Sequence, residues 1–265
     1  MKRAQWCVKS SVAGPPERCK SFRIAGCQFA IGNSQFVIHH AHVTSSFKSA
    51  VRQQQSVLAP LEKRTLLWLA ERMPRWVNSD HLTLLGFAGM IAAGVSFYLA
   101  KYDARALFVV IVCLAINWFG DSLDGTLARY RQQQRPRYGF YVDHIVDAFG
   151  ALCLISGMGL SGYMTGTIAM ALLIAYFLLS IEIYLATYTI GVFKLSYGWW
   201  GPTELRVMLA IGNLVLFFRP RVTIAGNRYL LCDVGAVVAI VGIVIITIFS
   251  AIRNTARLYD EERIQ

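Results

Sequence analysis

The chain has 265 residues, of which 55% are hydrophobic and 15% are charged. Soluble domains typically carry about 25% charged residues, so this composition excludes an ordinary soluble domain and favours a polytopic membrane protein whose spans form one domain. The formal net charge of +11 is typical of basic loops beside anionic lipid headgroups, and we expect no nucleic-acid partner.

Residues 1–56 differ in composition from the rest of the chain. Glu17 is their single acidic residue, and no apolar run among them is long enough for a signal-peptide core or a membrane span. An acid-poor, basic leader is also typical of an organelle transit peptide, but we favour a disordered or dispensable N-terminal extension. His39, His40 and His42 could bind a metal in principle; we interpret this short cluster as incidental.

Residues 57–80 are predicted to form a juxtamembrane amphipathic helix. Apolar residues recur at spacings of three and four, and Pro74 should end or kink the helix. The tryptophans suit a helix lying in the membrane interface, and a soluble helix packed on a partner is the alternative. The predicted apolar face consists of Leu58, Leu61, Thr65, Leu66, Leu69, Met73 and Trp76.

Six membrane spans are predicted to follow, within a transmembrane catalytic domain at 81–255 and before a short tail at 256–265. The first uncharged run, 82–100, is long enough to cross ~30 Å of hydrocarbon at about 1.5 Å per residue. The other spans are placed at 106 to about 129, near 139 to a break at 161–166, that break to about 190, about 203–218, and about 229–252. The predicted fold is therefore an all-α integral membrane protein.

The basic residues predict which side of the membrane is cytoplasmic. Six spans place both termini on one side, and that side carries basic clusters before the first span, after the second and after the last. We therefore expect a bacterial inner-membrane protein with its active site facing the cytoplasm. Arg219, Arg221 and Arg228 fall on the opposite side.

The stretch 121–147, DSLDGTLARYRQQQRPRYGFYVDHIVD, concentrates acidic residues in this apolar chain. Acidic side chains at a membrane boundary are costly and usually mark a function. Residues at i, i+3, i+4 and i+7 share a helix face, and so do residues four apart. With a turn at 130–138, two neighbouring antiparallel helices would present carboxylates to one another. The two faces carry Asp121, Asp124, Gly125 and Ala128, and Gly139, Asp143 and Asp147.

Four clustered carboxylates would repel one another unless they took up protons, paired with arginines or held cations. All-oxygen ligation favours Mg²⁺ or Mn²⁺, and two such ions would balance four carboxylates and suit phosphoryl transfer. Arg129 could hold further phosphate oxygens. The glycines leave room for close approach by a ligand or another backbone.

The pattern D-x2-D-G-x2-A-R-x9-G-x3-D-x3-D resembles the signature of the CDP-alcohol phosphatidyltransferase family. The resemblance covers roughly residues 60–255, and the turn after Arg129 is one residue longer than usual. It implies metal ligation by Asp121, Asp124, Asp143 and Asp147, with Asp147 also acting as the general base. It further implies donor binding by Asp121, Gly125, Ala128, Arg129 and Gly139.

The implied reaction is attack by a small alcohol on the lipid-side phosphate of CDP-diacylglycerol, with release of CMP, by a homodimer. A CDP-choline or CDP-ethanolamine donor acting on diacylglycerol is an alternative, and a non-enzymatic membrane protein or transporter with an acidic cation site is another. Glycerol 3-phosphate, inositol or its phosphate, serine and another lipid all remain open as acceptors. The candidate acceptor contacts are Arg206, Glu182 and Arg137.

Overall fold

The computed structural model describes residues 21–24, 27–30, 51–53, 59–194 and 201–263. Residues 1–46 form one compact unit, in which strands β1 (Ser21–Ile24) and β2 (Cys27–Ala30) pair as an antiparallel hairpin. The histidines at 39, 40 and 42 and most of the leader lie outside the described residues, so the interpretation of residues 1–56 stays a prediction.

Residues 47–265 form a second unit, which is helical over most of its described length. Strands β3 (Val51–Gln53) and β4 (Val192–Lys194) pair in parallel, and β5 (Arg221–Ile224) and β6 (Asn227–Leu230) form an antiparallel hairpin. The helices are α1 (Ala59–Arg72), α2 (Ser79–Leu99), α3 (Ala106–Tyr130), α4 (Pro136–Leu160), α5 (Gly166–Ile190), α6 (Pro202–Phe218) and α7 (Leu231–Glu261).

Within the described residues, five helices are long and apolar enough to cross a membrane: α2, α3, α4, α5 and α7. The prediction of an all-α integral membrane protein is therefore confirmed. Helix α6, at the position of the fifth predicted span, has 17 residues. The break near 161–166 is confirmed, since α4 ends at Leu160 and α5 begins at Gly166.

Two helix boundaries differ from the prediction. Helix α4 begins at Pro136 rather than near Gly139, because proline fits the first turn of a helix, where its missing N–H costs no hydrogen bond. The predicted turn at 130–138 is therefore shorter. Helix α7 continues to Glu261, so part of the predicted tail is helical. Helix α1 ends at Arg72, two residues before Pro74, in agreement with the prediction that this proline ends the helix.

Helix α1 packs with a face that only partly matches the predicted apolar face. Leu66 and Ala70 are buried in a cluster with residues of α2 and α3. Leu61 and Trp76, which were placed on the same face, are 66% and 75% exposed. The packing face thus includes Ala70, which lies outside the predicted apolar face, and leaves Leu61 exposed. The location of α1 in the membrane interface stays a prediction.

Helix α2 lies between α3 and α4 and packs extensively on both, whereas the backbones of α3 and α4 approach each other at few points. Glycines permit this packing. A Cβ on Gly157 of α4 would lie 2.1 Å from the Gly94 carbonyl oxygen, and one on Gly120 of α3 would lie 2.5 Å from the Gly86 nitrogen. Helices α3 and α4 do bring carboxylates together, as predicted, but α2 is the helix on which both of them pack.

The remaining contacts define two ends of the bundle. At the start of α5, the Thr165 hydroxyl donates to Asp233 of α7 (2.6 Å), and further along Ser250 of α7 donates to Glu182 (2.8 Å), so α5 and α7 run parallel. We call the end with Asp121 the site end. The α4–α5 turn and the β5–β6 hairpin lie at the opposite end, which we call the far end.

Candidate active site

Three carboxylates from two helices converge at the site end. Asp121 comes from α3, and Asp143 and Asp147 come from consecutive turns of α4. One carboxylate oxygen from each residue lies within 4.8 Å of the others, and all three residues are half-buried. Three converging oxygens form a donor set that fits a hard divalent cation such as Mg²⁺ or Mn²⁺.

The fourth predicted ligand, Asp124, turns toward α2 instead. Its Oδ2 accepts a hydrogen bond from the Thr83 hydroxyl (2.6 Å), and the Ser79 hydroxyl donates to its backbone carbonyl (3.0 Å). Asp124 is 9% exposed. The structure therefore brings together three of the four predicted carboxylates and holds the fourth one helical turn away, against the neighbouring helix.

An arginine from α6 lies beside the carboxylates. Arg206 donates from Nη2 to Oδ2 of Asp121, and its Nε donates to Oδ1 of Asn117 (2.8 Å). Asn117 in turn donates from Nδ2 to the carbonyl of Gly86 (3.0 Å). The guanidinium is thus fixed between a carboxylate and an amide that is itself anchored on α2.

Sequence reasoning proposed Arg206 for this site but missed Asn117. Asn117 is 5% exposed and stands four residues before Asp121, so both share a face of α3. A buried amide in an otherwise apolar run, at helical spacing from an aspartate, was the available signal. Thr83 was missed for a similar reason: it lies in a run that we interpreted only as the first span.

A small pocket opens onto the three carboxylates. Its carboxylate wall comes from α3 and α4, and its apolar wall comes from α2, which was not predicted to contribute. Such a mixed lining suits a ligand with a charged head and an apolar body. The lining residues are Thr83, Gly86, Phe87, Met90, Asn117, Asp121, Asp143, Val146 and Asp147.

The two glycines among the predicted donor-binding residues, Gly125 and Gly139, lie beside open space and make no close contact with another backbone. A Cβ on Gly139 would meet nothing within 4 Å, and one on Gly125 would meet only the Arg129 side chain, at 3.4 Å. Ala128 is half-buried on the same face of α3. Arg129 is exposed and donates to the Thr126 hydroxyl (3.1 Å). These positions leave room at the end of α3.

Neither of the other two acceptor candidates, Glu182 and Arg137, lines the pocket. Glu182 joins α5 to α7: its Oε1 accepts from Ser250 (2.8 Å) and from Asn254 (2.7 Å). Its Oε2 is buried and has no hydrogen-bond partner among the described residues. Arg137 is exposed in the first turn of α4.

Several polar residues at the site end hold the surrounding elements in place. Arg131 donates to the carbonyls of Met73 (3.0 Å) and Pro74 (2.9 Å), just beyond the end of α1. Oε1 of Glu62 accepts from the indole of Trp118 (3.1 Å) and the hydroxyl of Thr203 (2.7 Å), which joins α1 to α3 and α6. Arg131, in the turn between α3 and α4, therefore holds the segment after α1 in place as well as carrying positive charge.

The comparison with known families agrees with this geometry. The family model described as CDP-alcohol phosphatidyltransferase matches residues 76–251, well over half of the chain. The matched region contains α2 to α6 whole, both acidic helix faces and Arg206. No curated protein matches the chain in the corresponding search. The chain belongs to the CDP-alcohol phosphatidyltransferase family, whose members are transferases of phosphate-containing groups in phospholipid biosynthesis and generally depend on a divalent metal.

Proposed function

We propose that the protein transfers a phosphatidyl group from CDP-diacylglycerol to a small alcohol and releases CMP. The observation that carries this proposal is the convergence of Asp121, Asp143 and Asp147 beside Arg206. The family supports a CDP-linked donor, an alcohol acceptor and membrane lipids as partners. Carboxylates together with an arginine at a pocket with an apolar wall suit a phosphate-containing lipid substrate.

The metal would be held first by Asp121, Asp143 and Asp147. Asp124 would join a second ion through one carboxylate oxygen, while the Thr83 hydroxyl orients the other. When bound, Mg²⁺ or Mn²⁺ would neutralise charge on the donor pyrophosphate. The donor set supports oxygen-preferring divalent cations, and we propose two ions because four carboxylates carry four negative charges.

Asp147 is proposed as the general base. Its carboxylate would take the proton from the acceptor hydroxyl as that oxygen forms a bond to the lipid-side phosphorus. The bond between this phosphorus and the CMP oxygen breaks, and CMP leaves with the bonding electron pair. Asp147 lines the pocket, so a hydroxyl bound there would lie near the carboxylate.

The cytidine diphosphate part of the donor would lie along the open face of α3. Asp121, Gly125, Ala128 and Arg129 lie on or beside that face, and Gly139 would allow approach from the start of α4. The open space at both glycines supports this placement. The acyl chains of the donor would extend out of the pocket along its apolar α2 wall.

Arg206 is the strongest acceptor candidate. Its two hydrogen bonds at the site use two of the five N–H donors of a guanidinium, so the others can bind an anionic group. This favours an acceptor that carries a phosphate. Glu182 and Arg137 are weaker candidates, because Glu182 contacts α7 and Arg137 lies on the exposed first turn of α4.

We further propose six spans, a homodimer and an active site facing the cytoplasm of a bacterial inner membrane. Helix α6, the fifth predicted span along the chain, would bring the number of spans to six. Arg206, near its start, contacts Asp121 at the site end. The ring centroid of Phe217, near its end, lies 4.7 Å from that of Phe108 at the start of α3. The basic residues at the site end support the cytoplasmic orientation.

An assay of CMP release tests this proposal. Purified protein is supplied with CDP-diacylglycerol or CDP-ethanolamine and a panel of alcohols with and without a phosphate. We expect CMP only with CDP-diacylglycerol, and fastest with a phosphorylated alcohol. Release from CDP-ethanolamine with diacylglycerol would favour the alternative headgroup transfer. Divalent-ion binding without CMP release from any donor would contradict both reactions.

A further inference from the structure

The β5–β6 hairpin at the far end carries basic residues that the transfer reaction does not use. Arg219 follows the last residue of α6, and Arg221 and Arg228 lie on the two strands; all three are exposed. Basic residues are generally depleted on the side opposite the cytoplasm, so three arginines within ten residues require a separate explanation. Within the described residues, none of them forms an ion pair with a carboxylate.

The strand register places two of these arginines on one face of the hairpin. Arg221 pairs with Leu230, and Thr223 pairs with Arg228. Residues two apart on a strand share a face, so Arg221 and Arg228 are diagonal neighbours, roughly 7–8 Å apart in the backbone. Two long guanidinium side chains at that spacing can contact one phosphate group. The opposite face carries Val222, Ile224, Asn227 and Tyr229.

The hairpin is fixed directly to the ends of two helices. The Leu231 N–H donates to the Pro220 carbonyl (3.0 Å) at its base, and the turn at Ala225 and Gly226 has φ values of 50° and 83°. Two positive φ values are typical of the type I′ turn, which matches the twist of a two-residue hairpin. Arg221 and Arg228 therefore lie on a short hairpin whose backbone conformation is fixed.

The length of α6 places this element at headgroup level. Its 17 residues span ~25 Å at 1.5 Å per residue, less than the ~30 Å hydrocarbon core. A short span draws its flanking residues toward the bilayer, where arginines extend to the phosphates and aromatic rings lie at the interface. Phe218 and Tyr229 are exposed beside the arginines, at 70% and 47%.

The acidic side chains nearby are already engaged. Both carboxylate oxygens of Asp233 accept hydrogen bonds from Thr165 (2.7 and 2.6 Å), and Asp103 accepts from the Arg105 backbone (2.9 Å). Both carboxylates thus already accept hydrogen bonds within the chain, so an anionic group outside the chain is the natural partner for the arginines of the hairpin. A partner with phosphate groups at a membrane surface complements both the charges and the aromatic rings.

We propose that the β5–β6 hairpin binds the headgroups of anionic phospholipids in the leaflet opposite the active site, with Arg221 and Arg228 contacting the phosphate and Arg219 adding charge. The apolar face with Tyr229 and Ile224 contacts the upper acyl chains. This inference depends on the far end lying at that leaflet, and it is independent of which acceptor the enzyme uses.

The test compares the full chain in nanodiscs of phosphatidylcholine alone and of phosphatidylcholine mixed with phosphatidylglycerol. Native mass spectrometry counts the phosphatidylglycerol molecules retained, and melting curves give the stabilisation by this lipid. We expect Arg221→Gln/Arg228→Gln to weaken retention by more than about fivefold for each arginine removed, because each change removes hydrogen bonds to the phosphate as well as one surface charge. Arg221→Lys/Arg228→Lys should retain most of it.

The matched control is Lys101→Gln/Arg105→Gln, which removes two exposed basic residues from another turn at the far end. It should weaken retention less than the hairpin variant does, because it removes surface charge without removing two guanidinium groups that contact one phosphate. Equal loss in the control, unchanged retention in the hairpin variant, or equal stabilisation of wild type by inorganic phosphate in lipid-free detergent would overturn the proposal. Melting in phosphatidylcholine alone shows whether each variant folds.

Discussion

The helices on the two sides of the bundle are held together in different ways. On one side, α2 contacts α3 and α4 backbone to backbone through glycines such as Gly120 and Gly157. On the other, α5 and α7 are joined by polar side chains, with Thr165 on Asp233 and Ser250 on Glu182. The carboxylates that converge come from the glycine-packed side.

The difference follows from the physics of helix packing in lipid. Lipid tails are as apolar as leucine, so helices associate through close van der Waals packing and interhelical hydrogen bonds. Close packing tolerates little displacement, and it fixes Asp121 and Asp147 to within the separation that a shared cation requires. Polar side-chain links permit larger adjustments. We therefore expect the glycine-packed side to hold the chemistry and the α5–α7 side to tolerate change.

The largest expected effect is that of Asp147→Asn, which removes the proposed base from the glycine-packed side. The asparagine amide cannot take the proton from the hydroxyl of the acceptor alcohol. CMP release should therefore fall roughly 10²–10⁴-fold while the melting temperature changes little. Asp233→Asn, the same chemical change on the other side, should leave the rate near wild type. Equal rate losses in both variants would show that the two sides do not differ in this way.

The next effect is on stability. Gly157→Ala places a methyl group against the Gly94 carbonyl, and forcing α2 and α4 apart should cost about 1–3 kcal/mol or more of folding free energy. Gly242→Ala in α7 meets nothing within 4 Å and should be neutral or stabilising by roughly 0.5–1 kcal/mol. Thermal melting in one detergent compares them, and a Gly157→Ala protein as stable as Gly242→Ala would contradict the packing argument.

A smaller effect is expected at Thr83. Thr83→Val preserves the shape of the side chain but removes the hydroxyl that holds Asp124, and loss of such an orienting partner typically lowers metal affinity about 10–100-fold. Titration with Mn²⁺ by electron paramagnetic resonance measures this. Thr187→Val, which removes a hydroxyl that donates to the Ile183 carbonyl within α5, is the matched control. Unchanged Mn²⁺ affinity in Thr83→Val would place Asp124 outside the metal site.

The smallest effect is expected for Glu182→Gln. Both described hydrogen bonds to Glu182 are donated to its Oε1, and a glutamine carbonyl oxygen can accept the same two bonds. Stability should change by less than about 1 kcal/mol. The KM of the Glu182→Gln variant for the acceptor alcohol shows whether Glu182 serves helix contact or acceptor binding. An unchanged KM assigns Glu182 to the α5–α7 contact, and a large rise assigns it to acceptor binding.

The sequence predicted the parts of the fold that depend on local pattern. Uncharged runs located the long apolar helices, and spacings of three and four correctly placed Asp143 and Asp147 on a common face. The sequence did not predict that α2 lies between α3 and α4, because helix order in a bundle depends on contacts between distant residues. Gly86, Gly94 and Gly157 carried that information, but isolated glycines in apolar helices do not identify their partners.

The candidate site was likewise predicted only in the features that depend on spacing along one helix. Helical periodicity brought Asp124 onto the same face as Asp121, yet a side chain on that face can still turn to a neighbouring helix, as Asp124 does toward Thr83. Asn117 was missed because its role depends on Arg206, which is remote in sequence. Spacing along one helix thus predicted which residues share a face, and contacts between helices determined which of them meet.

The most direct test of the central claim is the metal dependence of CMP release from CDP-diacylglycerol by wild type and Asp143→Asn. Chelation should abolish release by the wild-type protein, and added Mg²⁺ or Mn²⁺ should restore it. Asp143→Asn should require at least about tenfold more metal, since it lacks one of three converging carboxylates. Release that survives chelation, or an unchanged metal requirement in Asp143→Asn, would contradict the assignment of these carboxylates as the metal site.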